Sequence, residues 1–144
     1  VKLESIQELW DVDSKVERDR LDEESLKISV LHAKYHKILT HESMLLKKLE
    51  SDMKVLVKDK YEFYTMGPTP ETHSKGWKLP PQGKIIKQEV DRYMDSDPDI
   101  IELSLKIGVQ KEKTYFLESI IRTLNGRSYN IRNTIDYLKF INGG

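Results

Sequence analysis

Five lysines fall between residues 47 and 60, at 47, 48, 54, 58 and 60, and three aromatics follow at once, Tyr61, Phe63 and Tyr64. Further on, the stretch from His73 to Gln88 holds Lys75, Lys78, Lys84, Lys87 and the indole of Trp77, with no acidic residue. Ammonium groups hold phosphates and flat rings stack on unpaired bases. Lysines interleaved with aromatics therefore suit single-stranded nucleic acid rather than a duplex groove. Each ring also has a second reading. Tyr61 and Tyr64 can equally be core residues closing a pair of helices, and Trp77 can dock on those helices in place of stacking on a base. The candidate strand-binding residues are Lys54, Lys58, Lys60, Tyr61, Phe63, Tyr64, Lys75, Trp77 and Lys78.

Other chemistries find no support in the residues. Cysteine is absent, which removes disulfides, thiolate metal sites and cysteine nucleophiles. No glycine-rich loop ends in Lys-Ser or Lys-Thr, so no nucleotide-hydrolysing site is expected. His32 and His36 stand i, i+4, but the run His-Ala-Lys-Tyr-His lacks the glutamate that a zinc protease carries after its first histidine. Asp95, Asp97 and Asp99 alternate without the glycine and distal glutamate of a calcium loop, and helix capping explains them better. The expectation is a protein with no catalytic residues, no metal and no cofactor.

The formal charge of zero is a sum of unlike segments. Residues 1–25 hold four basic and nine acidic residues, net −5, and residues 26–88 hold twelve basic and six acidic, net +6. Residues 89–102 return to −5, and residues 103–144 carry +4. A basic block between acidic flanks can hold a polyanion while limiting unspecific association. Charge spread over solvated helix faces is the plainer reading of the same numbers.

These residues need elements to position them. At 144 residues the chain is expected to form one domain. No apolar run approaches the roughly 18 to 20 residues that span a bilayer, and the acidic first 25 residues are unlike a signal peptide, so a cytoplasmic protein is expected. Leu3, Ile6, Leu9 and Trp10 follow helical spacing, which makes 1–22 a short amphipathic helix and an acidic segment. From Ile28 a frame with alternating three- and four-residue steps reaches Phe63 with eight of eleven positions apolar, and no glycine or proline interrupts 23–66. One helix from 24 to 64 follows. Gly67, Pro68, Pro70, Pro80, Pro81 and Gly83 make 66–83 a loop, and Ile85, Ile86, Val90, Tyr93 and Met94 form a short helix, so 65–97 is a basic loop with one short helix. Ser96-Asp97-Pro98 reads as a cap with proline at the first helical position. The frame from Ile100 to Leu138 is apolar at nine of twelve positions, which predicts a helix over 98–141. Ile101 to Val109 also alternates like a strand, and Asn125-Gly126 is a plausible stop, but the heptad passes both in phase.

A helix from 24 to 64 would be roughly 60 Å long, against a radius of gyration of about 15 Å for a compact globule of this size. The expected fold is therefore all-α, two long antiparallel helices with short accessory helices, elongated and with apolar surface left over for a second subunit. The C-terminal helix offers Phe116, Leu117, Ile120, Ile121, Leu124, Ile131, Ile135 and Leu138 for self-association.

The run Val57-Lys58-Asp59-Lys60-Tyr61-Glu62-Phe63-Tyr64-Thr65-Met66-Gly67 resembles the segment of the UvsY family of T-even-type bacteriophages in which a basic-x-basic pair ends a long helix, followed by aromatics and a small-residue turn. Leu31-His32-Ala33-Lys34-Tyr35 is similar to the family's lysine-aromatic step, and Leu3 to Leu9 and Ile131 to Ile141 occupy equivalent places. The resemblance implies a recombination mediator in the cytoplasm of an infected bacterial host. Such a protein binds single-stranded DNA coated by the phage single-strand-binding protein and promotes loading of a RecA-like recombinase of the UvsX type. It also implies a ring-like homo-oligomer, a hexamer or heptamer, joined through the C-terminal part. Lys58 and Lys60 match the basic pair, and Phe63 and Tyr64 the aromatics. The family pair includes an arginine where both residues here are lysine, and lysine lacks the planar fork. A helical scaffold or assembly chaperone whose basic loop binds an acidic protein is the alternative function.

Overall fold

The structure is a computed structural model that describes residues 1–143, and among these every regular element is helical. In chain order they are α1 (Leu3–Asp13), a single 3-10 turn (Arg18–Arg20), α2 (Leu21–Met66), α3 (Pro70–Ser74), α4 (Val90–Asp95) and α5 (Pro98–Ile141). Helix α2 starts at Leu21 rather than 24, with Asp22, Glu23 and Glu24 in its first turn facing the positive end of the helix dipole. Its last turn closes at Gly67, whose N–H donates to the Phe63 carbonyl at 3.0 Å and whose φ of +98° lies in the left-handed region that glycine enters freely.

Two differences from the expected elements have local causes. Helix α3 lies inside the expected loop because Thr69 caps it. The Thr69 side chain accepts from the Thr72 N–H at 3.2 Å, the Thr72 hydroxyl accepts from the Thr69 N–H at 2.8 Å, and Pro70 supplies the first turn. Ile85 and Ile86 stand before α4 instead of within it, and the Ile85 N–H donates to the Tyr64 carbonyl at 2.8 Å. Helix α5 runs unbroken through Asn125-Gly126. The strand-like alternation from Ile101 to Val109 resolves into the helix because 101, 105 and 109, like 103 and 107, are also four residues apart.

The chain gathers into two compact units, Val1–Met44 with Gln110–Gly144, and Leu45–Val109. In the first unit Ile6, Tyr35, Leu117, Ile120 and Leu124 form a buried cluster, with Trp10, Leu31, Ile38, Leu39, Phe116 and Ile121 packed against it. Trp10 meets Tyr35 edge to face at 5.5 Å. The Tyr35 hydroxyl donates to the Asp13 carboxylate at 2.8 Å, and Lys34 donates to the same oxygen at 2.6 Å. Arg127, itself buried, donates to the carbonyls of Asp13 at 3.2 Å and Ser14 at 3.0 Å, satisfying acceptors that the end of α1 leaves open. Glu42 is fully buried, and its carboxylate and backbone carbonyl accept from the Gln110 amide at 2.6 and 2.8 Å.

In the second unit the buried cluster is Phe63, Tyr64, Ile85, Val90 and Met94, with Trp77, Leu79, Tyr93 and Ile100 against it. The end of α2 and the start of α5 share this core. The segment between Gly67 and Glu89 folds over it, so the basic stretch is a packed cover and not a free loop.

Candidate nucleic-acid interface

The lysines and aromatics of 54–64 separate according to the face of α2 they occupy. Lys54, Lys58 and Tyr61 stand at i, i+4 and i+7 and are exposed, which gives one stripe of two ammonium groups and a ring. Lys58 lies 3.9 Å from Glu62, an exposed pair that solvent screens and that costs a competing phosphate little to break. Lys60, Phe63 and Tyr64 turn the other way. Phe63 and Tyr64 belong to the core cluster, so they are structural, as the second reading of Tyr64 allowed.

Lys60 departs most from its expected role. Its side chain is 4 % exposed, its ammonium lies 2.7 Å from Asp99 and 3.1 Å from Asp97, and it sits over the Trp77 ring at 3.8 Å. A side chain enclosed in this way meets no phosphate in this conformation, which corrects the expectation drawn from the basic pair. The physical reason is helical phase. Two residues on from Lys58 the side chain points about 200° around the helix, toward the core instead of the solvent.

Asp97 is the hub beneath Lys60. It is buried, and its Oδ1 accepts from the N–H groups of Asp99 at 2.9 Å and Ile100 at 3.2 Å, capping α5 as the sequence implies. Its Oδ2 accepts from the Tyr64 hydroxyl at 2.7 Å. Burial pushes its carboxyl up, but the hydrogen bonds from Tyr64 and Ile100 and the Lys60 ammonium outweigh burial and hold it below the usual carboxylate range. Tyr64 moves the opposite way, its phenol raised by burial and by the bond to Asp97. Sequence reasoning assigned Asp97 the cap and missed Asp97 and Asp99 as partners of Lys60. No local spacing links residues 37 and 39 positions apart.

Trp77 resolves toward docking. It is half-buried, meets Phe63 edge to face at 5.5 Å, and has Lys75 at 5.0 Å from its ring in addition to Lys60. Lys75 and Lys78 are exposed, so the docked indole fixes where these two ammonium groups stand. Lys54, Lys58, Tyr61, Lys75 and Lys78 are thus the predicted site residues that remain at the surface of this unit.

The residues expected to join subunits also divide. Leu117, Ile120, Leu124 and Ile131 are buried within the first unit, and Phe116 and Ile121 pack against its core, which corrects their placement at a subunit contact. They are taken up by Ile6, Trp10 and Tyr35, partners that the frame of α5 alone does not reveal. Ile135 and Leu138 are half-buried and border a surface hollow with Arg18, Leu21 and Asp22. The outward apolar side chains of this part of α5 are instead Tyr115, Tyr129, Tyr137, Phe140 and Ile141.

His32 and His36 stack with ring centroids 5.9 Å apart, and no group of three or more metal-binding side chains is found among the described residues. No helix among them is long and apolar enough to cross a membrane.

Comparison with solved structures finds the same fold in the recombination mediator protein UvsY of bacteriophage T4. One crystal form superposes with a TM-score of 0.84 at 16 % identity, covering 100 % of this chain and 99 % of that one. A second gives 0.80 at 16 % identity over 94 % and 98 %, and a third 0.78 at 16 % over 97 % and 98 %. No curated protein matches the chain. The family model described as "Recombination, repair and ssDNA binding protein UvsY" matches residues 9–144, and the chain belongs to the UvsY family.

Proposed function

We propose that the chain is a recombination mediator without enzymatic turnover. It holds single-stranded DNA along the exposed stripe of Lys54, Lys58 and Tyr61 and onto Lys75 and Lys78. It promotes loading of a RecA-like recombinase of the UvsX type onto strand coated by the phage single-strand-binding protein, and works as a ring-like homo-oligomer, a hexamer or heptamer. The observation that carries this reading is the stripe itself, two ammonium groups and a ring on one solvated face at the end of α2 in a chain of this family. Ammonium groups follow the phosphates and the ring accepts a base, an arrangement open to any sequence. A mediator that does not hydrolyse nucleotide acts by differential binding, holding the strand in the form the recombinase prefers. Repeating the stripe around an oligomer makes each added contact intramolecular and multiplies weak binding.

The test is a titration of labelled single strand against salt. Each lost phosphate contact lowers the slope of log affinity against log salt by about 0.7 for single strands. Lys54→Ala with Lys58→Ala should lower it by about 1.4 per engaged protomer. Lys47→Ala with Lys48→Ala, without an aromatic beside it, should do less. Equal loss from both pairs would reduce the stripe to part of a diffuse positive field. A strand-exchange assay with recombinase and coating protein then reads the loading step, which the stripe variant should slow and wild type should accelerate.

A further inference from the structure

We propose that Lys60 is a positioning residue of the strand-binding surface: it clamps the indole of Trp77 and the start of α5 to the end of α2, so that Lys75 and Lys78 stand where a strand can use them, and it makes no phosphate contact itself. The inference rests on the reading that this end of α2 binds single strands, and it assigns the second member of the basic pair a different task from the first.

Three observations converge on it. The Lys60 ammonium is shared between two carboxylates, at 2.7 and 3.1 Å, and the face of an indole at 3.8 Å, which leaves no open side for a phosphate. Its partners come from separate parts of the chain. Trp77 belongs to the cover segment, while Asp97 and Asp99 belong to the start of α5, so one cation ties three segments of the unit together. The indole it holds also carries Lys75 at 5.0 Å, and Lys78 is the next residue, so two of the exposed ammonium groups of the cover are placed by a buried residue. Removing the charge would leave the buried Asp97 carboxylate with its hydrogen bonds from Tyr64, Asp99 and Ile100 but without its cation, and breaking one side of a buried ion pair is costly. The part of the cover around Trp77 would loosen first, because the indole is held by Phe63 and by the cation, whereas Ile85 stays anchored in the core and by its N–H to the Tyr64 carbonyl.

The test uses the full chain with Trp10→Phe, so that fluorescence reports Trp77 alone. In this background Lys60→Met should expose the indole to acrylamide in the absence of DNA, weaken single-strand binding by tenfold or more, and lower the salt slope by about 1.4, the share of Lys75 and Lys78, rather than the 0.7 of one contact. Lys60→Met with Asp97→Asn is the deciding variant. Asparagine keeps the cap on α5 through its carbonyl oxygen and donates its NH2 to the Tyr64 hydroxyl oxygen while removing the buried charge, and the methionine packs on the indole where the ammonium stood, so shielding of Trp77, affinity and slope should all return to within about twofold of the parent. A double variant that shields Trp77 yet keeps a slope lower by about 0.7 overturns the proposal, because Lys60 would then be a phosphate contact. So does a single variant that leaves quenching and slope unchanged.

Wild-type protein supplies a measurement that no folding defect can cloud. In amine labelling with and without a saturating 30-nucleotide single strand, Lys60 should be unreactive in both states, while Lys54, Lys58, Lys75 and Lys78 lose reactivity on binding. A reactive Lys60 that the strand protects overturns the clamp. Failure of wild type to bind the strand would instead remove the functional reading, and the acrylamide result would still decide whether Lys60 holds Trp77.

Discussion

At the scale of single residues, the chemistry turns on which way a charged side chain faces. Lys58 and Lys60 differ by two positions and by nearly their whole exposure, 73 % against 4 % of the side chain. Asp97 is where the buried charge balances, and replacing it by alanine removes the helix cap, the acceptor of Tyr64 and the partner of Lys60 together. Asp97→Ala should destabilise the protein by about 3 to 5 kcal/mol, as breaking one side of a buried pair does, and Asp97→Asn by less, measured by urea unfolding. The same residue predicts an acid limit. Because its folded carboxyl lies below the ordinary value of 3.8, the stability it contributes is fully present above that value and is lost as pH falls through the folded one. Asp13 has the same sign, its burial outweighed by Lys34, Tyr35 and Arg127. Urea midpoints should therefore be flat above about pH 5 and fall below pH 4, and Asp97→Asn should flatten the acid limb. A limb of unchanged steepness in that variant would assign acid sensitivity to other carboxylates.

At the scale of elements, the long helices were legible because their apolar frames run far longer than any local exception. Leu21–Met66 and Pro98–Ile141 differ from the expected bounds by three residues or fewer. Pattern falls short where a short capping motif competes with proline, as Thr69-Pro70-Glu71-Thr72 does in α3. It falls short again where a residue's partner is remote. Phe63, Tyr64 and Trp77 have the composition of a stacking platform, and only the packing of 67–94 shows them to be a core. Leu117 and Leu124 read as an outward stripe because the frame of α5 does not reveal that Ile6 and Tyr35 cover them. Gly126 supplies an independent check on the continuity of α5. Its backbone is helical, and a Cβ built there meets nothing within 4 Å, so Gly126→Ala should stabilise the protein by about 0.5 to 1 kcal/mol. A loss of stability in urea unfolding would show that α5 bends or ends at this position in solution.

At the scale of the whole molecule, the self-association we propose has to draw on side chains of α5 other than those that fold it. Deleting 114–144 removes Leu117, Ile120 and Leu124 from a core, so it should unfold the first unit and leaves assembly unread. Leu117→Ala alone should cost about 2 to 5 kcal/mol of stability. Tyr137 and Phe140, 57 % and 80 % exposed, are the cleaner probes. Serine at both positions should lower the mass seen by light scattering while leaving the unfolding midpoint at low protein concentration unchanged. An unaltered mass would take the contact away from this end of α5. Glu42 and Gln110 have a consequence for how α2 and α5 find each other. Both sit in mostly apolar frames, and a slip of one heptad, about 10 Å along the axis, would bring Glu42 opposite Leu103 or Leu117 and take the Gln110 amide from its carboxylate. Leucines along a helix seam leave the alignment weakly specified, and a buried polar residue fixes it. This buried polar pair, like that of Lys60 with Asp97, acts as an index mark on the seam, so that a chain closing during synthesis on a repetitive apolar surface has a marked position at which it stops sliding.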